Sequence, residues 1–164
     1  MLTRFVLHHH IVEDGTAPPH YDLRLENEHG GKVDSYALPK GIPEIGKDLN
    51  LAIFTFPHTK GILNTEGNLR RANGQIDHYV IVDKGFYQIT KKTPNTIEYT
   101  LNGRDNDYRI VMIKSKTKKE FFVKSLTPDP RFVFKEQLSV SEKIKILYEG
   151  RWLWVHITQI GLQY

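Results

Sequence analysis

His20, Asp22, Arg24 and Glu26 recur at every second position of the stretch His20-Tyr21-Asp22-Leu23-Arg24-Leu25-Glu26, interleaved with Tyr21, Leu23 and Leu25. Successive side chains of an extended strand point to opposite faces, so the polar groups share one face and the apolar groups the other. An imidazole and a carboxylate two residues apart then point the same way and can bind one metal ion. The guanidinium that follows suits a phosphate or carboxylate bound beside it. A strand with a merely solvated polar face shows the same alternation, so the pattern takes its weight from the rest of the chain.

Other residues with suitable chemistry lie on either side of this stretch. His8, His9 and His10 follow a strand-like run, and in a strand His8 and His10 compete with His9 for one face. His10 lies closest to the turn leading to His20 and is favoured as a ligand; three solvated histidines on an edge strand are the plain alternative. Lys40 sits between Pro39 and Gly41-Ile42-Pro43, where a stiff loop leaves little entropy to lose on meeting an anion. His58 follows a β-prone run at the position where a side chain often lines a cleft, although a surface histidine is commoner. Arg70 and Arg71 stand in a polar loop between Glu66-Gly67 and Gly74.

The bulk composition narrows the field. The chain has 164 residues, 39% hydrophobic and 26% charged, which fits one ordinary globular domain with at most a small appendage. With no cysteine, thiolate zinc sites, disulfides and a cysteine nucleophile are excluded, and any metal must be held by His, Asp, Glu or water. No apolar run approaches the length needed to cross a bilayer and no signal-peptide pattern is seen, so an intracellular, cytoplasmic protein is expected, with no membrane partner. A net charge of +4 is compatible with a polyanionic partner.

The elements that must position these groups are nearly all strands. Segments 4–10, 20–26, 32–38, 51–56, 79–82, 86–90, 96–101, 108–113 and 120–125 read as strands, with turns that include Asp83-Lys84-Gly85, Pro94-Asn95, Asn102-Gly103 and the basic tip Lys114 to Lys119. Turn signals every eight to twelve residues predict a mostly β fold, a closed barrel or a sandwich. Pro128-Asp129-Pro130 marks a boundary between a body of residues 1–127 and an extension of residues 128–164. In the extension, Ser139 to Tyr148 reads as a helix with a Ser139/Glu142 capping box, and Arg151 to Ile157 as a strand bearing Trp152 and Trp154.

The runs Arg4-Phe5-Val6-Leu7 leading to His10, His20-Tyr21-Asp22-Leu23-Arg24-Leu25-Glu26 and Ser35-Tyr36-Ala37-Leu38-Pro39-Lys40-Gly41 resemble the 3′-phosphoesterase domain of bacterial DNA ligase D and its stand-alone relatives. The likeness continues through Leu51-Ala52-Ile53 with His58, Glu66-Gly67, Val80-Ile81-Val82-Asp83-Lys84-Gly85, Leu101-Asn102-Gly103 and Glu120-Phe121-Phe122-Val123-Lys124, covering about residues 3 to 126. The resemblance implies a compact closed β-barrel of about eight strands with little helix, to which the short helix-strand extension is added. It implies removal of a 3′-phosphate, and of a terminal ribonucleoside, from DNA or RNA–DNA primer ends, with separate ligase and polymerase chains as partners. The implied cofactor is Mn²⁺ or another divalent transition metal on His10, His20 and Asp22. Arg24 and His58 would contact the scissile phosphate with Lys40 nearby. Asn50 and Ile62 stand where the family carries an arginine and a tyrosine, and Arg70 or Arg71 would take over the anion binding of those two groups.

Two other classes compete. A non-catalytic nucleic-acid-binding repair module would keep the fold and bind primer ends in a salt-sensitive way without turnover. A non-haem Fe(II) oxygenase site would use His20, Asp22 and His58 as its facial triad.

Overall fold

The computed structural model describes residues 3–27, 31–128, 143–148, 151–159 and 161–163. Ten strands form one antiparallel sheet: β1 (Thr3–Val12), β2 (His20–Glu26), β3 (Lys32–Leu38), β4 (Asn50–Phe54), β5 (His58–Thr59), β6 (Gly67–Arg70), β7 (Ile76–Lys92), β8 (Thr96–Gly103), β9 (Asp107–Lys114) and β10 (Glu120–Leu126). Eight of them run in the order β1-β2-β3-β4-β10-β9-β8-β7, and β7 pairs with β1 to close the barrel. Closure leaves only β5 and β6, with the 3-10 segment Lys60–Asn64 between them, outside the ring. Among the described residues no helix is long and apolar enough to cross a membrane.

Alternation fixes which side of each strand faces the barrel interior. Phe5, Leu7, Leu23, Leu25, Leu38, Ala52, Leu101, Ile110, Met112 and Val123 are buried together there, and each large apolar side chain so buried contributes roughly 1.5–3 kcal/mol. The cross-strand pairs Leu7↔Leu23 and Phe5↔Leu25 stand on this side, so the pair His8↔Asp22 and the pair Val6↔Arg24 must stand on the other. The polar face read from the sequence is therefore the outer wall of the barrel. It is covered by the segment from Thr55 to Arg71, whose Leu63 packs with Val6 and Val33 in a second, smaller core.

Three expected elements come out differently. Asp83-Lys84-Gly85 is not a turn: β7 runs unbroken through it. The carboxylate of Asp83 is buried and accepts the N–H groups of Lys84, Asp105 and Asn106 and the hydroxyl of Tyr108. The pairing with β1 shifts there, from Leu7↔Asp83 to His8↔Ile81, so the polar and glycine residues mark a β-bulge and not a reversal. Arg70 lies on β6 instead of in a loop. The helix expected over 139–148 is not formed over Lys143–Tyr148, which is strand β11, and residues 139–142 lie outside the described residues. The alternation of Ile144 and Ile146 with lysines pairs that strand with β12 (Arg151–Gln159), opposite Val155 and Leu153, and β13 (Gly161–Gln163) completes a second sheet.

Candidate metal centre

Antiparallel pairing of β1 with β2 sets His10 opposite His20 and His8 opposite Asp22, and pairing with β7 sets His10 opposite Tyr79 and Val12 opposite Asp77. One ligand atom each from His10, His20 and Asp22 lie within 4.8 Å of one another. His10 and Asp22 are buried, at 7% and 3% exposure, so this is a walled site and not a wet strand face. Of the three adjacent histidines, only His10 joins the group. His9 turns to the other face, against the Tyr21 ring at 5.0 Å. His8 is fully buried one layer deeper, its Nε2 against the Thr65 carbonyl at 2.8 Å. Burial lowers the pKa of His8, which leaves it neutral at pH 7 and suits its Nδ1 to accept from Arg24 Nε at 3.5 Å.

The donor atoms fit a cation. His20 Nδ1 lies 2.9 Å from the Pro18 carbonyl, which can only accept, so that nitrogen carries the proton and Nε2 faces Asp22 Oδ1 at 3.4 Å. His10 Nε2 likewise faces the Asp77 carboxylate at 2.7 Å, leaving Nδ1 against Asp22 Oδ2 at 2.9 Å. His20 thus donates its far N–H to a carbonyl and aims its near nitrogen at an Asp22 oxygen, while His10 stands between two carboxylates with one ring nitrogen toward each. Two lone-pair bearers so close require a proton or a metal between them, and an outer acceptor on each histidine is the usual support of a metal ligand. The pKa of His20 is raised, chiefly by its hydrogen bond with Asp22. Burial alone would push the Asp22 carboxyl up, but His10, His20 and the Arg24 guanidinium outweigh it and hold the group well below the usual carboxylate range.

Arg24 is almost fully buried and donates to Asp22 Oδ2 at 3.0 Å. His58 stands across the cleft, its Nδ1 3.1 Å from Ser35 Oγ; burial first, then the Arg24 charge, lowers its pKa. His58 does not join the ligand group, so the facial triad of His20, Asp22 and His58 does not assemble. The cleft holding all these groups has a volume of about 450 Å³, within the range of small-ligand sites. Arg71 also lines it, its guanidinium bidentate on Asp77 at 2.6 and 2.8 Å. Lys40 and Arg70 do not line it. Lys40 is exposed in the turn after β3, and Arg70, the neighbour of cleft-lining Leu69 on an alternating strand, turns away to the Gly74 carbonyl at 3.3 Å.

Two cleft residues escaped the sequence reading. Asp77 holds His10 and Arg71 at once, and Tyr79 stacks on the His10 ring at 4.4 Å, with Arg24 Cζ over the Tyr79 ring 6.0 Å from its centre. Their signal is the same two-residue alternation in Asp77-His78-Tyr79 that marks His20-x-Asp22, on the strand that closes the barrel.

A family model described as "DNA Ligase D 3'-phosphoesterase domain" matches residues 8–124, more than two thirds of the chain. The chain belongs to the DNA ligase D 3′-phosphoesterase domain family. Among curated relatives of this phosphoesterase-domain chain, the multifunctional non-homologous end joining protein LigD of Mycolicibacterium smegmatis is 32% identical over 110 residues, 60% of this chain and 14% of that protein. The protein of the same description from Mycobacterium bovis and the multifunctional non-homologous end joining DNA repair protein LigD of Mycobacterium tuberculosis are each 33% identical over 94 residues, 56% of this chain and 12% of theirs. The chain therefore spans about a seventh or less of the relatives it matches. The matched phosphoesterase-domain region contains every cleft group described above.

Proposed function

We propose that this chain is a Mn²⁺-dependent phosphoesterase that heals 3′ ends of DNA or RNA–DNA primers in end-joining repair. It would remove a terminal phosphate, and a terminal ribonucleoside where present, to leave a hydroxyl for separate polymerase and ligase chains. Family membership supports hydrolysis of a phosphoester, and the relatives' own description as non-homologous end joining proteins supports the repair setting. The observation that carries the reading is Asp22, a buried carboxylate faced by two imidazole nitrogens and a buried guanidinium in one cleft.

His10, His20 and Asp22 would hold Mn²⁺ or another divalent transition metal. When bound, such an ion offsets charge on a phosphate oxygen and brings the pKa of a coordinated water toward neutrality. Arg24, anchored by Asp22, binds phosphate oxygens as they gain charge; removing one such donor costs about 2.7–4 kcal/mol of transition-state stabilisation, by analogy with an oxyanion-hole donor. His58 Nδ1 lies 3.1 Å from Ser35 Oγ, and in the tautomer that carries its proton on Nε2 the imidazole would present that proton to a phosphate or leaving oxygen. Arg71, at the cleft rim with 47% of its side chain exposed, attracts the anionic strand. Lys40 and Arg70 would act only on phosphates outside the cleft.

The test is release of inorganic phosphate from a primer ending in a 3′-phosphate, with and without Mn²⁺. Wild-type protein should act only with the metal, and Asp22→Ala should neither bind Mn²⁺ nor release phosphate. Salt-sensitive binding to the primer with no release by the wild type would replace this reading with the binding module.

A further inference from the structure

Phe56 is the most exposed large hydrophobic side chain among the described residues, at 72%. It also lines the candidate metal cleft. Its ring lies nearly parallel to the His58 imidazole, 4.6 Å between centres and 25° between planes, so one face is held and the rest is open to solvent. Its backbone is fixed on both sides. Thr55 bonds the Ser35 carbonyl through its N–H at 2.9 Å and through its hydroxyl at 3.2 Å, and Pro57 confines the residue before it to extended conformations. An aromatic plane held rigid beside a phosphate-binding group loses little entropy when a nucleobase stacks on it, and every base offers a π-face.

A second observation shows where the strand would go. The Phe54 N–H, two residues earlier, donates to the Lys119 carbonyl at 2.7 Å. The β9–β10 turn, with exposed Lys114, Lys116, Lys118 and Lys119, therefore rises beside the segment that carries Phe56. Glu120 is the acidic residue next to these four cations.

We propose that Phe56 is the stacking platform for the base of the 3′-terminal nucleotide, and that the strand leaves the cleft over it with its phosphates against the Lys114–Lys119 turn. This rests on the phosphoesterase reading for the identity of the terminus. It adds that a terminal base, of any sequence, is part of what the site recognises.

The test measures anisotropy of a labelled single strand ending in a 3′-hydroxyl, in Mn²⁺, alongside an identical strand whose last nucleotide is abasic. Phe56→Ala should weaken binding of the complete strand roughly 5- to 150-fold, the range for loss of one stacked base, and leave the abasic strand's Kd within about two-fold. Phe56→Trp should retain or tighten binding of the complete strand. Exchange of Lys116, Lys118 and Lys119 for Gln should flatten the slope of log Kd against log salt by about 0.7 for each phosphate no longer neutralised. Equal weakening of both strands by Phe56→Ala, or weakening of neither, overturns the platform, and an unchanged salt slope overturns the path over the turn. A strand bound with the predicted discrimination by a protein that releases no phosphate would sink the phosphoesterase reading and leave the platform standing.

Discussion

Asp77 stands one layer behind the ligand group, 99% shielded from solvent, with His10 on one oxygen and Arg71 across both. Its carboxyl is held below its usual range because Arg71 and His10 together outweigh the upward push of burial. A carboxylate so placed fixes which His10 nitrogen carries the proton, and so which one is free for metal. Asp77→Asn should lower Mn²⁺ affinity by about 10- to 100-fold, the usual effect of losing an outer partner. Titration calorimetry measures this, and an unchanged affinity would make Asp77 merely a clamp for Arg71.

At the same scale the raised pKa of His20 gives two opposite trends with pH. In metal-free protein a raised pKa means that the folded state holds the proton more tightly than the unfolded chain. Its stabilisation is complete below the ordinary histidine value near ~6.5 and disappears as pH rises through the folded value. The Tm lost in His20→Asn, in chelator, should therefore be largest at acid pH and shrink above neutrality. With Mn²⁺ the sign reverses: the cation must displace that proton, so metal affinity rises with pH across the same interval. A Tm difference that grows with pH would contradict the placement of His20 against Asp22.

Among the elements, β1, β2 and β3 were legible because alternation is a local signal. Strict apolar-polar alternation over His20 to Glu26 leaves one register consistent with a buried face and puts His20, Asp22 and Arg24 on one side, whereas His10 was favoured only as the histidine nearest the turn and was grouped with them by the resemblance. Asp77 and Tyr79 were not legible as site residues, since they reach His10 through a β1–β7 pairing that closes the barrel, with Tyr79 69 positions after His10 in the sequence. The Asp83-Lys84-Gly85 signal failed for a different reason: the local composition of a turn and of a bulge is the same. What decides between them is the tertiary environment, in which Asp83 caps the β8–β9 turn. A Cβ at Gly85 would overlap the backbone carbonyl of Asn102, a backbone atom that cannot swing aside. Gly85→Ala should therefore destabilise the barrel by ~3 kcal/mol or more, at or above the top of the range for overpacking. Urea unfolding reads this directly, and a loss under ~1 kcal/mol would mean the bulge relaxes freely.

At the scale of the whole molecule, the groups proposed for metal and scissile phosphate come from residues 10 to 58 and sit on or against the outer wall of a ring that closes within residues 3–126. The family match ends at residue 124. The three-stranded sheet β11-β12-β13 pairs only with itself among the described strands. A closed barrel leaves no open edge to be completed by a later strand, and its last strand is already tied in: Ser125 Oγ–H donates to the Pro43 carbonyl, and Arg109 reaches the Thr127 carbonyl at 3.4 Å. We propose a division between 1–127 and 128–164. A chain ending at Thr127 should unfold in one cooperative transition, with a Tm within a few degrees of the full chain, and should bind Mn²⁺ with the same affinity. Calorimetry checks the first and a Mn²⁺ titration the second. A truncated chain that folds but loses Mn²⁺ would place a group from beyond residue 127 at the metal centre. One that does not fold would make the second sheet part of the barrel's own stability.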